Sequence, residues 1–201
     1  MFAANIKSVI FRPYWNVPLS IVRAELLPHI EKDAAYLAKN SYEIVNGAET
    51  VADQGSLSEQ IKGQVRSGKL GIRQIPGPTN ALGLLKFHFP NPYDVYMHGT
   101  PAMELFSRSR RDFSHGCIRV EDPIALAAWL LRDKPEWTAD HIRAATLAEK
   151  TFRVDLEHPI PVLIVYGTAV VMENGEVDFF RDIYHQDTAL EQALISHSYT
   201  E

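Results

Sequence analysis

The chain has 201 residues, 46% of them hydrophobic and 22% charged, with a formal net charge of −5 at pH 7. This length can bury a substantial core, and the composition is that of a globular protein, not a disordered one. The negative charge argues against a general binder of nucleic acid or anionic membranes. The sequence has no apolar run of about 18 residues, so we expect no transmembrane helix.

The first half of the chain predicts short strands alternating with helices. Strands are expected at 6–11, 42–45 and 70–75, and loops at 13–18 and 76–80. Ser20 is the expected N-cap of a helix that begins at Ile21 and that Pro28 interrupts or restarts before Asn40. Ser56 and Glu59 have the capping-box spacing of a helix that ends near Gly68.

The second half predicts further strands beside three helices. Strands are expected at 84–89, 94–98 and 162–172, and the Asn174-Gly175 turn predicts a hairpin with 176–180. Asp122-Pro123 predicts the start of a helix through Leu131, and further helices are expected at 140–147 and 188–196. Strands dominate near the chemically suggestive motifs. We therefore expect a mainly β, α+β protein with helices attached to a sheet core.

Cys117 is the only cysteine, so it cannot form an internal disulfide. It follows His115 and Gly116 and precedes Ile118, and further histidines lie in other segments. A thiol with a base supplied from elsewhere in the fold is the pattern of a nucleophile. Gly116 would let backbone amides approach the sulfur and a developing oxyanion.

Two other interpretations of Cys117 stay open at this point. A free cysteine is often a small buried apolar residue. His115 and Cys117 could also hold two corners of a zinc site, although the remaining histidines are scattered and form no second closely spaced pair.

Strand alternation predicts which side chains share a face with these groups. In the strand at 94–98, Tyr96 and His98 lie on one face and Val95 and Met97 on the other. If a strand follows Cys117, Arg119 shares the face of the sulfur. The planar guanidinium of arginine suits a substrate carboxylate.

Two segments resemble the signature of the L,D-transpeptidase catalytic domain, a family of enzymes that cross-link bacterial peptidoglycan. They are His98-Gly99-Thr100 and Ser114-His115-Gly116-Cys117-Ile118-Arg119-Val120. Four further parts of the chain resemble the large periplasmic subgroup from Gram-negative bacteria: 14–18, 72–78, 80–83 with 86–87, and 180–184. The similarity covers most of residues 5–187.

The resemblance implies a mixed β-sandwich with the active site under a mobile lid. The segment at about 20–71 resembles the helical capping insertion of the subgroup. We therefore expect a catalytic domain at 1–187 that contains this insertion, followed by a C-terminal tail at 188–201. The resemblance also implies a periplasmic or cell-envelope location, although residues 1–7 lack the pattern of a signal peptide.

The resemblance further implies roles for individual residues. Cys117 would be the nucleophile, His98 the general base, the Gly99 carbonyl the group that orients the imidazole, and His115 a supporting residue. The substrate site would be lined by Arg119, Tyr96, Ser114, Gly116 and Trp15. No metal and no cofactor is expected.

The implied reaction is acyl transfer through a thioester. The donor would be a tetrapeptide stem that releases D-alanine, and the acceptor a diaminopimelate amine or a lipoprotein lysine. Carbapenem β-lactams would acylate the same thiol. An L,D-carboxypeptidase, or a non-catalytic zinc or cell-wall-binding module, remain the alternatives.

Overall fold

The computed structural model describes residues 1–52, 57–114 and 116–196. The chain divides into two compact units. The larger is Asn5–Pro161, and the smaller joins Met1–Ala4 to Val162–Glu201. The residues discussed below as a candidate site all belong to the larger unit.

The described residues form eleven strands and seven α-helices. The strands are β1 (Phe2–Phe11), β2 (Trp15–Asn16), β3 (Tyr42–Asn46), β4 (Glu49–Ala52), β5 (Gly71–Gln74), β6 (Leu85–His88), β7 (Met97–His98), β8 (Ile118–Arg119), β9 (Phe152–Ile164), β10 (Ala169–Val171) and β11 (Val177–Phe179). The helices are α1 (Leu19–Ile21), α2 (Leu27–Lys32), α3 (Tyr36–Lys39), α4 (Glu59–Ser67), α5 (Pro123–Leu130), α6 (Ala139–Ala145) and α7 (Asp187–Ile195). A π-helical turn, Val22–Leu26, joins α1 to α2, and Met103–Ser107 is a 3-10 helix.

The first sheet of the larger unit has the strand order β8-β7-β6-β1-β9. Strand β6 is antiparallel to β1 and β7, whereas β8 is parallel to β7. Leu85 and Phe87 on β6 are fully buried, and the alternate residues Lys86 and His88 are half-buried. The alternation of side chains along β6 therefore places one face against the core and leaves the other for polar groups.

A second sheet, of order β2-β5-β3-β4, lies beside the first four helices in the sequence. It shares an apolar cluster with them, which includes Val22, Leu26, Ile44, Val65 and Ile72. The segment at 20–71 thus packs around an apolar cluster that also includes Val17 and Ile72 from its two flanks. The structure as a whole is a mixed α+β arrangement with several sheets, and the α+β prediction is confirmed at that level.

Two of the predicted helix caps are wrong. The first helix begins at Leu19 with Pro18 as its N-cap, not Ser20. The restart predicted at Pro28 is confirmed: α2 begins at Leu27 with Pro28 in its first turn, where the missing N–H of proline breaks no hydrogen bond. Ser58, not Ser56, caps α4, and Ser56 lies outside the described residues. The predicted end of α4 is confirmed, because Gly68 closes it at a φ of +82°.

The strand predictions also differ in several places. The strand expected at 94–98 is reduced to β7, Met97–His98, so that Tyr96 precedes it, and β9 begins at Phe152, where no strand was expected. Residues 13–18 were expected to form a loop, but they contain the short strand β2, which pairs with β5. The long strand at 162–172 was wrong, because β9 ends at Ile164 and β10 begins at Ala169. An apolar run does not show where strand pairing stops. The predicted hairpin is confirmed: β10 pairs with β11, and Gly175 takes the positive φ of the turn.

Candidate active site

Three neighbouring strands bring the predicted residues onto one face of the first sheet. Lys86 on β6 lies opposite His98 on β7, and His98 lies opposite Arg119 on β8. The Ile118 N–H donates to the Tyr96 carbonyl at 3.0 Å, which continues the pairing to the level of Cys117. Residues 98 and 119 are neighbours because β7 and β8 pair in parallel. The spacing of these residues along the sequence does not predict that pairing.

The sulfur lies at the wall of a cavity of about 920 Å³. His98, Tyr96 and Arg119 line the same cavity, together with Trp15, Ser114 and Gly116. The structure therefore gathers every described residue predicted for the site except Gly99, which follows β7 and contacts the His98 ring through its carbonyl. His115 lies outside the described residues, and its role stays a prediction.

His98 is buried, with 5% of its surface exposed. Its Nδ1 makes a short hydrogen bond with the Gly99 carbonyl. A carbonyl can only accept, so Nδ1 carries the proton and Nε2 keeps its lone pair. The pKa of His98 is lowered to about 4, chiefly by burial and also by the charges of Arg119 and Lys86, while the hydrogen bond with Gly99 acts in the opposite direction. The imidazole is therefore neutral near pH 7 and able to accept a proton.

Cys117 is a half-buried free thiol, and its hydrogen-bond partner is the hydroxyl of Tyr96. Burial raises the pKa of Tyr96, and a negative charge on Cys117 and a hydrogen bond with Cys117 would raise it as well. The indole of Trp15 also bonds to this hydroxyl and acts in the opposite direction. Since an indole N–H can only donate, the Tyr96 oxygen accepts from Trp15 and its proton is free to point at the sulfur.

The second sheet carries Trp15 to this position. Trp15 lies opposite Gln74 in the pairing of β2 with β5. The fully buried Asn80 ties the preceding turn down, because its Nδ2 donates to the carbonyls of Ile75 at 2.9 Å and Pro13 at 3.2 Å. The indole is therefore held by strand pairing and a buried amide, not by a free loop.

Two glycines shape the chain around the site. Gly116 has a φ of +126°, a region that favours glycine, and its N–H donates to the Ser114 hydroxyl at 3.2 Å. Gly83 has a φ of +63°, and a Cβ there would lie 2.7 Å from the backbone of Gly99 and Thr100. The end of β7, where His98 stands, is thus packed directly against the Gly83 backbone.

Sequence reasoning missed Lys86 as a site residue. Its Nζ lies 3.7 Å from the centroid of the Tyr96 ring, and it lines the cavity with His98 and Cys117. The signal was present in the predicted strand at 84–89, where Lys86 alternates with Leu85 and Phe87. The alternation pattern did not predict the pairing register, which places Lys86 opposite His98.

Within the described part of the chain, no three His, Cys, Asp or Glu side chains cluster as metal ligands. Within the same residues, no helix is long and apolar enough to cross a membrane.

Comparison with known proteins now adds to this geometry. The family model of the L,D-transpeptidase catalytic domain, YkuD, matches residues 1–172. A protein of Haemophilus influenzae with the printed name "Putative L,D-transpeptidase" is 32% identical over 194 residues, which is 96% of this chain and 38% of that relative. The chain therefore spans less than half the length of the relative it matches. On the extent of the family match and the identity to this relative, the chain belongs to the L,D-transpeptidase catalytic domain (YkuD) family.

Proposed function

We propose that the protein is a peptidoglycan L,D-transpeptidase that acts through a thioester on Cys117. One observation carries the proposal: Cys117, Tyr96 and His98 line the same cavity. A free thiol there faces a tyrosine hydroxyl, and a neutral histidine with a bare Nε2 stands on the neighbouring strand. A thiol and a base on paired strands are the parts that acyl transfer requires.

The first half of the reaction forms the acyl-enzyme. Cys117 loses its proton to His98 Nε2, and the sulfur attacks the carbonyl between diaminopimelate and the terminal D-alanine of the donor stem. A C–S bond forms, and the carbonyl oxygen becomes an oxyanion beside the backbone amides near Gly116 and Cys117. The C–N bond then breaks, and D-alanine leaves with the proton from His98.

The sulfur of Cys117 has a hydrogen bond with Tyr96. Among the described residues, no hydrogen bond joins the sulfur to His98. We infer that substrate binding brings the imidazole into line with the thiol, since catalytic hydrogen bonds are often long before substrate arrives. Tyr96 would meanwhile hold the sulfur in the cavity.

The second half transfers the acyl group. The side-chain amine of diaminopimelate on a neighbouring stem attacks the thioester and gives up a proton to His98 Nε2, which returns it to the departing sulfur. A new C–N bond forms, the C–S bond breaks, and the thiol of Cys117 is restored. This sequence requires no metal and no cofactor, and a carbapenem would acylate the same sulfur by opening its β-lactam ring.

Arg119 is proposed to bind a carboxylate of the donor stem. It lines the cavity beside Cys117, and its buried Nε has no hydrogen-bond partner among the described residues. A buried donor without a partner is costly, so a substrate anion is a natural occupant. Trp15, Ser114 and Gly116 would complete this wall, and His115 would support it.

The remaining expectations belong to the same proposal. They are the β-sandwich with a mobile lid, the capping insertion at 20–71 within a catalytic domain at 1–187, the tail at 188–201 and the cell-envelope location. The separate apolar core of the second sheet supports a distinct cap. The family supports peptidoglycan as the substrate class.

Mass spectrometry of the products tests the function. The protein is incubated with disaccharide-tetrapeptide, beside Cys117→Ala as the control. A cross-linked dimer that requires Cys117 is the expected result. Tripeptide alone would identify an L,D-carboxypeptidase instead, and no product from either protein would refute both activities.

A further inference from the structure

The ammonium group of Lys86 has no place in the mechanism described above. The side chain is half-buried in the candidate site. Among the ion pairs of the described residues, none includes Lys86, and its described contact is the face of the Tyr96 ring. Burying a cation without a carboxylate partner is unfavourable, and such residues in clefts are often functional.

The sheet register places Lys86 next to the two groups that surround the thiol. It lies directly opposite His98. Tyr96 comes just before β7, and its ring centroid lies 5.8 Å from that of His98. The Tyr96 side chain therefore lies between two groups: the Lys86 ammonium contacts the face of its ring, and the Cys117 sulfur lies at its hydroxyl.

The electrostatics of the three residues agree with this arrangement. Burial lowers the pKa of Lys86, whereas negative charge on Cys117 and on Asp94 raises it. The charge of Lys86 in turn lowers the pKa of His98. A cation here favours a negative sulfur and disfavours an imidazolium. Among the described residues, the titratable and charged groups that line the cavities beside the sulfur are Tyr14, Glu25, Lys86, His88, Tyr93, Asp94, Tyr96, His98, Arg111 and Arg119.

We propose that Lys86 is a positioning residue for the nucleophile. Its ammonium, held by a cation–π contact, keeps the Tyr96 ring oriented so that the hydroxyl donates to Cys117 Sγ, and its charge stabilises the thiolate. The proposal rests on the proposed function only in taking Cys117 as the nucleophile. It does not depend on the identity of the acyl donor or acceptor.

Alkylation of Cys117 tests this without any peptidoglycan substrate. Iodoacetamide is neutral and iodoacetate is negative, and with each the thiolate forms a C–S bond and releases iodide. Rates are measured from about pH 6 to about pH 9, a range that brackets an ordinary thiol. The variants are Lys86→Met, which removes the charge, and Lys86→Arg, which keeps it. Lys7→Met removes an exposed lysine on β1 as the matched charge control.

Lys86→Met is expected to slow both reagents about tenfold near pH 7, because the thiolate loses a neighbouring cation. Lys86→Arg restores most of the rate, and Lys7→Met leaves it unchanged. Thermal melting checks the fold, and Lys86→Gln replaces Lys86→Met if the methionine lowers the melting temperature.

Two results would overturn the proposal. Identical profiles for Lys86→Met and wild type would show that the charge does not act on the sulfur. A loss confined to iodoacetate would assign Lys86 to the capture of carboxylates instead. If alkylation slows as expected but no cross-linked dimer forms, the proposed function fails and the role of Lys86 stands.

Discussion

Replacing His98 by asparagine should remove a specific sensitivity of the fold to acid. The Nδ2 of asparagine can still donate to the Gly99 carbonyl, as Nδ1 of His98 does, but the side chain no longer titrates. The native imidazole has a pKa of about 4 because it is buried, against an ordinary value of 6.5. The native state therefore resists protonation, and the unfolded state does not.

The sign and size follow from proton linkage. Between pH 6.5 and about pH 4 the unfolded chain binds a proton at His98 that the native state does not, so stability falls as the pH falls through this window. One pKa unit corresponds to about 1.4 kcal/mol, and at about pH 5 the loss from this residue reaches about 2 kcal/mol. Above the ordinary pKa the contribution is fully retained.

Urea unfolding followed by tryptophan fluorescence measures the effect. The free energy of unfolding is compared at about pH 7.5 and about pH 5 for wild type and His98→Asn. The wild type should lose about 2 kcal/mol more than the variant over this interval. His88→Asn is the matched control, because His88 lies on the neighbouring strand and is less buried. Equal pH dependence in wild type and His98→Asn would refute the neutral, buried imidazole.

The remaining predictions concern the nucleophile and its surroundings. Cys117→Ala should form no covalent adduct with a carbapenem by intact-mass measurement, and an adduct of unchanged yield would place acylation elsewhere. Tyr96→Phe should slow that acylation about tenfold while binding of the intact drug changes little, because one hydrogen bond to the sulfur is lost and packing is kept. An unchanged rate would contradict the contact. Gly83→Ala should lower the thermal midpoint by several degrees, corresponding to about 2 kcal/mol or more, because its Cβ would lie 2.7 Å from the Gly99 backbone. A midpoint equal to wild type would show that the backbone yields there.

Local sequence determined those features that depend on a few adjacent residues. The turn at Asn174-Gly175, the end of α4 at Gly68 and the start of α5 after Asp122 were predictable, because the required backbone conformation or cap lies within the motif itself. The candidate nucleophile and base were also evident. A lone cysteine after a glycine and a histidine at a strand end carry their chemistry in their own side chains.

Only the tertiary structure decided which side chains meet. The register that sets Lys86 opposite His98 and His98 opposite Arg119 depends on pairing between strands far apart in the chain. The position of Trp15 against Tyr96 depends on β2 joining a different sheet, at a place where sequence predicted a loop. Strand alternation assigns a residue to a face of its own strand, but a shift of one residue in pairing would turn that face away. The protonation state of His98 also depends on the tertiary structure, because the packing of the whole sheet buries the imidazole and lowers its pKa.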